Sequence, residues 1–348
     1  MADNKINFEH QDRFVLKEIE SITWKTFEDQ FNDNPFLSGL WLKAFESRTK
    51  KPVFFAVYEN NLPVAAISGL LIQSGHVFFK GLTKQLYFFS GPIILDRDKI
   101  SEQQFIEYLS LYARKKRIHR IYLGSYYHFS EYSVENINFN KKVREECVID
   151  LTEDLAQIEK NMKRQQRRLI VKAGEMNLDF SETSDIEALQ QLATGMQMVK
   201  DRKEEKGHKT YNPFYMNYLN VKELRNLVIS GIGHIYQISE GDEVLCSVFV
   251  VEYKQKAFVI YWGATQAGYK KGVSVYLFWK IINKYVTSHI HSLNMGGLPK
   301  DSSREGIKAF KKSLGAVEEV CTGGKIENIQ GPVLTFMYDQ YKKISSFR

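Results

Sequence analysis

Residues 261–315 decide how this chain is read. Tyr261-Trp262-Gly263-Ala264-Thr265 ends one apolar run, and Tyr269-Lys270-Lys271-Gly272-Val273-Ser274 follows as a basic, glycine-bearing loop. Val273–Thr287 has the length and apolar content of a helix. Ile290-His291-Ser292-Leu293-Asn294-Met295-Gly296 is a short run that stops at a glycine, and Gly306-Ile307-Lys308-Ala309-Phe310-Lys311-Lys312-Ser313-Leu314-Gly315 closes the stretch. The order reads strand, loop, helix, strand, loop, helix. Phosphates of a ligand suit the first loop, where a helix begins. A second substrate could meet the side chains around the second loop.

The same order occurs earlier in the chain. Ile118-His119-Arg120-Ile121-Tyr122-Leu123-Gly124 aligns without a gap on Ile290–Gly296. Val53–Tyr58, Asn60-Asn61 and Val64–Ile72 read as a hairpin, because Asn-Asn suits positive φ in a tight turn. Gly233–Ser239, Glu240-Gly241-Asp242 and Val244–Glu252 read as its counterpart. Strands are expected at Val77–Phe79 and Leu86–Ile94, the latter interrupted at Ser90-Gly91-Pro92, and at Ala257–Ala264. Helices are expected over Phe27–Arg48, Phe105–Lys116 and Val273–Thr287. Two copies of one α/β unit follow from this matched order.

Composition bounds the rest. A chain of 348 residues suggests about two domains. A formal charge of +7 is compatible with an anionic partner and requires none. Cys147, Cys246 and Cys321 are far apart with no CxxC, and the eight histidines form no HExxH, so neither a disulfide framework nor a zinc site is expected. The N-terminus carries no apolar signal region, and the apolar run Leu62–Ile72 is too short to span a bilayer. A cytoplasmic protein is expected.

Between the copies, Leu155–Ala173 reads as one connector helix, with Asp150 and Thr152 as cap residues. Ile158, Met162, Leu169 and Ala173 form its apolar stripe. Lys160, Lys163, Arg164, Arg167, Arg168 and Lys172 form a basic stripe, either a solvated face or a contact for phosphates. In the tail, Val333–Tyr338 is strand-like.

Several of these stretches resemble the Fem-type peptidoglycan aminoacyltransferases and their GNAT-related acyltransferase relatives. Phe89-Ser90-Gly91-Pro92-Ile93-Ile94-Leu95-Asp96 is similar to the family's Arg-Gly-Pro-Val-Leu-Asp strand. Val148–Thr152 with Arg167–Ala173 resembles its acidic-Leu strand and Arg-x-x-Ile-x-Lys-Ala helix, and Asp201-Arg202-Lys203 its Arg-Lys-Gly segment. Gly306–Gly315 is similar to its Gly-x-x-x-Phe-Lys-x-x-Phe-Gly signature. The match covers roughly residues 50–320. Leu314 stands where an aromatic is expected, Ser90 where an Arg is expected, and the long helical arm of some members is absent.

The resemblance implies an α/β (α+β) fold of two tandem GNAT-like domains, each a mixed, mostly antiparallel sheet flanked by helices. The first would comprise residues 1–155 with 322–348 folding back, as scaffold or acceptor side. The second would comprise 156–321, including the connector 155–173, and would hold donor binding and catalysis, with part of the acceptor site in the cleft between the domains. Phosphates of the donor would sit at Lys270, Lys271, Gly272 and Ser274, within a loop over Thr265–Ser274. Asp96, Asp98 and Glu102 disfavour phosphate at the equivalent place in the first copy.

Lys311 is the candidate for stabilising the oxyanion or contacting substrate, against a plain helix-surface lysine. Asp301 or Glu305 is the candidate general base, or a helix cap. Arg202, Tyr261, Trp262 and Phe310 are candidate substrate contacts. The implied function is N-acyl transfer from an acyl-CoA co-substrate to a small-molecule or peptide amine, with no metal and no tightly bound cofactor. The alternatives are tRNA-dependent aminoacyl transfer to a peptidoglycan precursor and a non-catalytic binding protein that keeps the fold.

Overall fold

A computed structural model describes residues 13–73, 84–135, 137–208, 212–213 and 215–327. The chain divides into two compact units, Met1–Val143 with Cys321–Arg348, and Arg144–Val320. The expected strands at Val77–Phe79 and Val333–Tyr338 lie outside the described residues.

The first unit opens with β1 (Phe14–Ile19), α1 (Ser21–Phe31) and α2 (Gly39–Ala44). The single helix expected over Phe27–Arg48 is thus broken. Pro35 starts a short 3-10 turn, capped by Asn34, which accepts from Phe36 N, and α2 is capped by Ser38, which accepts from Trp41 N. Proline cannot continue a helix because it lacks an N–H and clashes with the preceding turn.

β2 (Lys50–Glu59) and β3 (Leu62–Ile72) form the expected hairpin, with positive φ at Asn60 and Asn61. Ser90-Gly91-Pro92 splits the next run into β4 (Gln85–Phe88) and β5 (Ile93–Ile94), which both pair with β3. α3 (Glu102–Lys115) starts at a reciprocal capping box between Ser101 and Gln104. It delivers the chain to β6 (Arg120–Leu123), which runs parallel to β4. Trp24, Trp41, Phe45, Phe55, Phe88, Phe89 and Phe105 are fully buried in this unit. At about 1.5–3 kcal/mol per buried aromatic, they supply much of its hydrophobic stabilisation.

The chain passes into the second unit along β7 (Phe139–Asp150). α4 (Leu155–Asn161) and α5 (Arg164–Gly174) follow. The expected single connector is therefore two helices. Met162 is extended at the break, and Arg167 Nη1 donates to the carbonyls of Glu159, Lys160 and Met162, which end α4. Asp154 is the N-cap, accepting from Gln157 N, while the Asp150 carboxylate accepts from Thr152 instead.

β8 (Asp179–Thr183), α6 (Ile186–Glu205), α7 (Val221–Ile229), β9 (Gly233–Glu240), β10 (Glu243–Tyr253) and β11 (Lys256–Ala264) come next. α8 (Gln266–Lys271), α9 (Val273–Thr287), β12 (Ser292–Gly297) and α10 (Arg304–Ser313) complete the unit. β13 (Val317–Glu327) then runs back into the first unit, where Gly324–Glu327 pair with Arg120–Leu123 of β6.

Strand order is β1-β2-β3-β4-β6-β13 in the first unit and β7-β12-β11-β10-β9-β8 in the second. β4 with β6 and β11 with β12 pair in parallel, while β1-β2-β3-β4, β6-β13, β7-β12 and β11-β10-β9-β8 pair antiparallel. The architecture is mixed α/β with mostly antiparallel sheets flanked by helices. Seven residues of α9 are buried against the second sheet, among them Leu277, Phe278, Ile281 and Tyr285.

The repeat extends to backbone detail. The helix before each aligned strand ends on a left-handed residue, Arg117 (φ 54°) or His289 (φ 57°). Ile118 N then donates to Ala113 O at 2.8 Å, and Ile290 N to Tyr285 O at 3.0 Å. Both are six-residue helix-ending bonds of the same kind. Among the described residues no helix is long and apolar enough to cross a membrane.

Candidate active site

The two parallel pairs differ where it matters. β11 and β12 pair only through Lys256–Ser292, Ala257–Leu293 and Phe258–Asn294, and each strand then bulges. On β11 the register with β10 shifts so that Ile260 is extra between Val259 and Tyr261. On β12 the register with β7 shifts between Asn294 and Gly297, and Gly296 takes φ 78°. A bulge bends its strand and disrupts the ladder. Two facing bulges just past the last pair open a fork between the strands.

Among the described residues, the matching strand pair of the first unit has no such opening. β4 and β6 stay paired through Phe88–Leu123, and the ladder continues through Gly124 N to Phe88 O (2.7 Å) and Tyr126 N to Phe89 O (3.1 Å). His128 fills the space over Gly91, where a Cβ would lie 2.4 Å from its Nε2. Burial pushes the His128 imidazole down to about 4, so it is neutral at pH 7.

Lys311 stands at the fork of the second unit. Its side chain is buried, and Nζ donates to the carbonyls of Gly296 (2.8 Å) and Gly297 (2.9 Å). Nζ also lies 5.8 Å from the Trp262 ring centroid. Desolvation is the largest influence on this amine and lowers its pKa to about 8. Nearby Arg144 pushes the same way, and Cys147 and Glu146 oppose it. An ammonium has three donors and two are used, so one remains for a ligand.

Around Lys311 the structure assembles residues that the sequence did not single out. Glu146 is buried, accepts from Asn294 Nδ2 at 2.7 Å and pairs with Arg144 at 3.2 Å. Asn294 Oδ1 in turn accepts from Gly296 N at 2.7 Å, which fixes the bulge. Arg144 packs over Gly297, where a Cβ would lie 2.4 Å from Nε, and its guanidinium is 5.6 Å from the Tyr215 ring. Tyr215 donates its hydroxyl to Ile260 O, the carbonyl of the bulged residue, at 3.0 Å. Desolvation raises the Tyr215 pKa, so the phenol is protonated. One sequence signal points here: Arg144-Glu145-Glu146 leads directly into the apolar Cys147-Val148-Ile149, which places charges in a buried strand.

The other expected site residues distribute unevenly. Trp262 packs with Phe278 (5.5 Å) and Phe310 (5.7 Å) on the Lys311 side of β11. Tyr261 points the other way, toward Tyr215 (5.7 Å) and Leu219 O (3.5 Å), as alternation along a strand requires. Asp301 accepts from Ser303 N at 2.7 Å and forms the turn into α10. Glu305 keeps 83% of its side chain exposed and faces Arg304 at 3.8 Å, away from the buried cluster.

The expected phosphate loop Thr265–Ser274 is instead largely helical. Thr265 Oγ1 accepts from Gly268 N, and Gly272, left-handed at φ 71°, closes α8 by donating to Gly268 O and Tyr269 O. The sequence contains the cause: Thr265 is a good N-cap and Gly272 a good helix terminator, one short helix apart. Lys271 pairs with Glu240, and Ser274 Oγ lies 3.5 Å from the buried Cys246 Sγ. Lys270 is exposed. Arg202, on α6, stacks on the Tyr269 ring at 3.9 Å.

Comparison with known proteins agrees with this geometry. Residues 156–312 match the family model described as an acetyltransferase (GNAT) domain. A structure described as FemX is 12% identical, with 90% of this chain and 98% of that chain covered and a TM-score of 0.65. L-PGS from Bacillus licheniformis is 15% identical over 93% and 97%, with a TM-score of 0.54. A tandem GNAT protein from the clavulanic acid biosynthesis pathway is 7% identical over 91% and 99%, with a TM-score of 0.52. No curated protein matches by sequence. The fold is that of the Fem-type, GNAT-related acyltransferases, and the GNAT domain over residues 156–312 is that of an acyltransferase.

Proposed function

We infer that this protein transfers an acyl group from an acyl-CoA to an amine. The observation that carries the reading is the buried ammonium of Lys311 at the fork of β11 and β12. A donor's acyl arm laid in the fork would run along β11 beyond Phe258, where its ladder with β12 has ended. The amine nitrogen attacks the thioester carbonyl carbon and negative charge develops on oxygen. The C–N bond forms, the C–S bond breaks, the amine's proton leaves to water, and the thiolate takes up a proton. The remaining N–H of Lys311 stabilises the charge that develops, which is worth most in a desolvated site. A thiol-release assay with a panel of acyl-CoAs and amines tests this. Turnover that disappears in Lys311→Met supports it, and absence of thiol release with every pair defeats it.

A second donor, an aminoacyl-tRNA, is favoured by α5. Arg164, Arg168 and Lys172 recur every four residues on its exposed face, and none makes an ion pair among the described residues. Leu169 of the same helix packs against the Gly272 turn, its Cδ2 3.4 Å from where a Cβ would stand. A stripe of this kind suits a phosphodiester backbone. Reversing all three charges should abolish tRNA binding and leave acyl-CoA turnover intact. Loss of acyl-CoA turnover alone would remove this second reading.

A further inference from the structure

The end of α6 brings cations onto an aromatic platform. Arg202 lies 3.9 Å from the centroid of the Tyr269 ring, and Lys206 Nζ lies 5.6 Å from it. Tyr269 sits on α8 and is half exposed. Arg202 Nη1 is buried and has no hydrogen-bond partner among the described residues. Burial and the neighbouring Lys206 and Arg202 lower the pKa of Lys203 between them, while Asp301 opposes this. His208 Nδ1 meets Ser302 Oγ at 2.7 Å, so the same turn also touches the loop that leads into α10.

The carboxylates nearby do not neutralise Arg202. Asp201 accepts from Gln197 Nε2 at 2.7 Å, Glu204 faces Lys200 at 3.7 Å, and Glu205 is exposed. A buried guanidinium N–H without an acceptor is costly unless a ligand supplies one. A guanidinium held flat by an aromatic ring presents its donors in a fixed fork, the geometry that suits phosphate oxygens.

The adjoining main chain of α8 is partly engaged. Residues 266–271, which would be an open loop of amides, are helical. Gly268, Tyr269 and Gly272 donate to Thr265 Oγ1, Thr265 O and the Gly268 and Tyr269 carbonyls. Those amides already have acceptors.

We propose that Arg202, held flat on Tyr269 with Lys206 beside it, binds a phosphate group of the acyl donor in place of the main-chain amides that α8 engages. This rests on the acyl-donor reading above. It makes α6 a donor-binding element and Tyr269 a positioning residue for its guanidinium. The phosphate belongs to CoA if the donor is an acyl-CoA and to the polynucleotide backbone if the donor is a charged tRNA.

Isothermal titration of the full chain with CoA, and separately with deacylated tRNA, tests it. Arg202→Ala should weaken whichever probe binds by at least about tenfold. Arg202→Lys should weaken it several-fold, because an ammonium lacks the planar fork. Tyr269→Leu should weaken binding to a similar degree, and Tyr269→Phe, which keeps the ring, should recover it. Lys116→Ala, in the first unit, removes one positive charge elsewhere and should change nothing. Binding of CoA assigns the phosphate to the small donor, and binding of tRNA alone assigns it to the polynucleotide. Wild-type affinity in Arg202→Ala with an unchanged melting curve overturns this inference and leaves the acyl-transfer reading standing. Failure of the wild-type protein to bind either probe overturns both.

Discussion

Lys311 on α10 donates to the carbonyl of Gly296, a left-handed residue within the β12 bulge, at 2.8 Å. The strand is thus kinked where a buried cation meets it. If that ammonium stabilises developing negative charge, Lys311→Met should lower kcat by about 10²–10³ with a smaller effect on KM. In the wild type, kcat should fall as pH rises through about 8, where the amine loses its proton. Steady-state kinetics across neutral and mildly alkaline pH check both. A flat profile would place the chemistry elsewhere.

The same group sets a stability trend. Its folded pKa, about 8, is below the 10.5 of an exposed lysine. Between these values the unfolded chain binds more protons, so stability rises with pH. The cost of burying the charge is fully present below the folded pKa and is relieved as pH reaches the unfolded one, about 3 kcal/mol in all. Urea melts spanning that window should show this rise in the wild type and lose it in Lys311→Met.

Glu146 is the hub of the buried network. Glu146→Gln removes the counter-charge of Arg144, and about 3 kcal/mol of destabilisation is expected. That is the low end for a broken buried pair, because Arg144 keeps 18% of its side chain exposed. Asn294→Ala leaves Gly296 N–H without its acceptor and should cost about 1–3 kcal/mol. Denaturant melts measure both, and neutrality of either change would mean that the bulge is held by other contacts.

Two glycines should respond in opposite directions. A Cβ on Gly124 would lie 2.1 Å from Phe89 O, a main-chain atom that cannot yield cheaply, so Gly124→Ala should cost about 3 kcal/mol or more. Gly306, inside α10, has nothing within 4 Å of the place a methyl would take, and Gly306→Ala should stabilise by about 0.5–1 kcal/mol. Thermal melts distinguish the two. Lost turnover in a stabilised Gly306→Ala would mean that substrate approaches that face.

The hairpins, the helices α3 and α9 and the repeat are legible in the sequence because they arise from local patterns: Asn60-Asn61 at a turn, apolar periodicity over Val273–Thr287, and a glycine ending each aligned strand. Lys311 is legible through its motif, although the motif cannot tell a surface lysine from a buried one. The fork is not legible. Ile260 lies in an unbroken apolar run, Ala257-Phe258-Val259-Ile260-Tyr261-Trp262, and nothing local marks it as the extra residue. The partners Arg144, Glu146, Tyr215 and Asn294 come from three separate segments, and only strand register brings them to one place. The stretch before α9 is helical where a phosphate loop is expected. Its lysines suit a phosphate, but Thr265 and Gly272 act together as the two caps of a short helix.

The path of the chain also orders its own synthesis. Arg144–Val320 interrupts the other unit, and Gly324–Glu327 pair with the edge of β6 that β4 leaves open. On the ribosome, the half that is made first therefore waits with one sheet edge unpaired while the inserted half emerges and closes. Unpaired strand edges are templates for aggregation. A truncation that stops the chain at Val320 would leave a complete inserted unit attached to an unfinished one, and heterologous expression of such a piece should go to inclusion bodies.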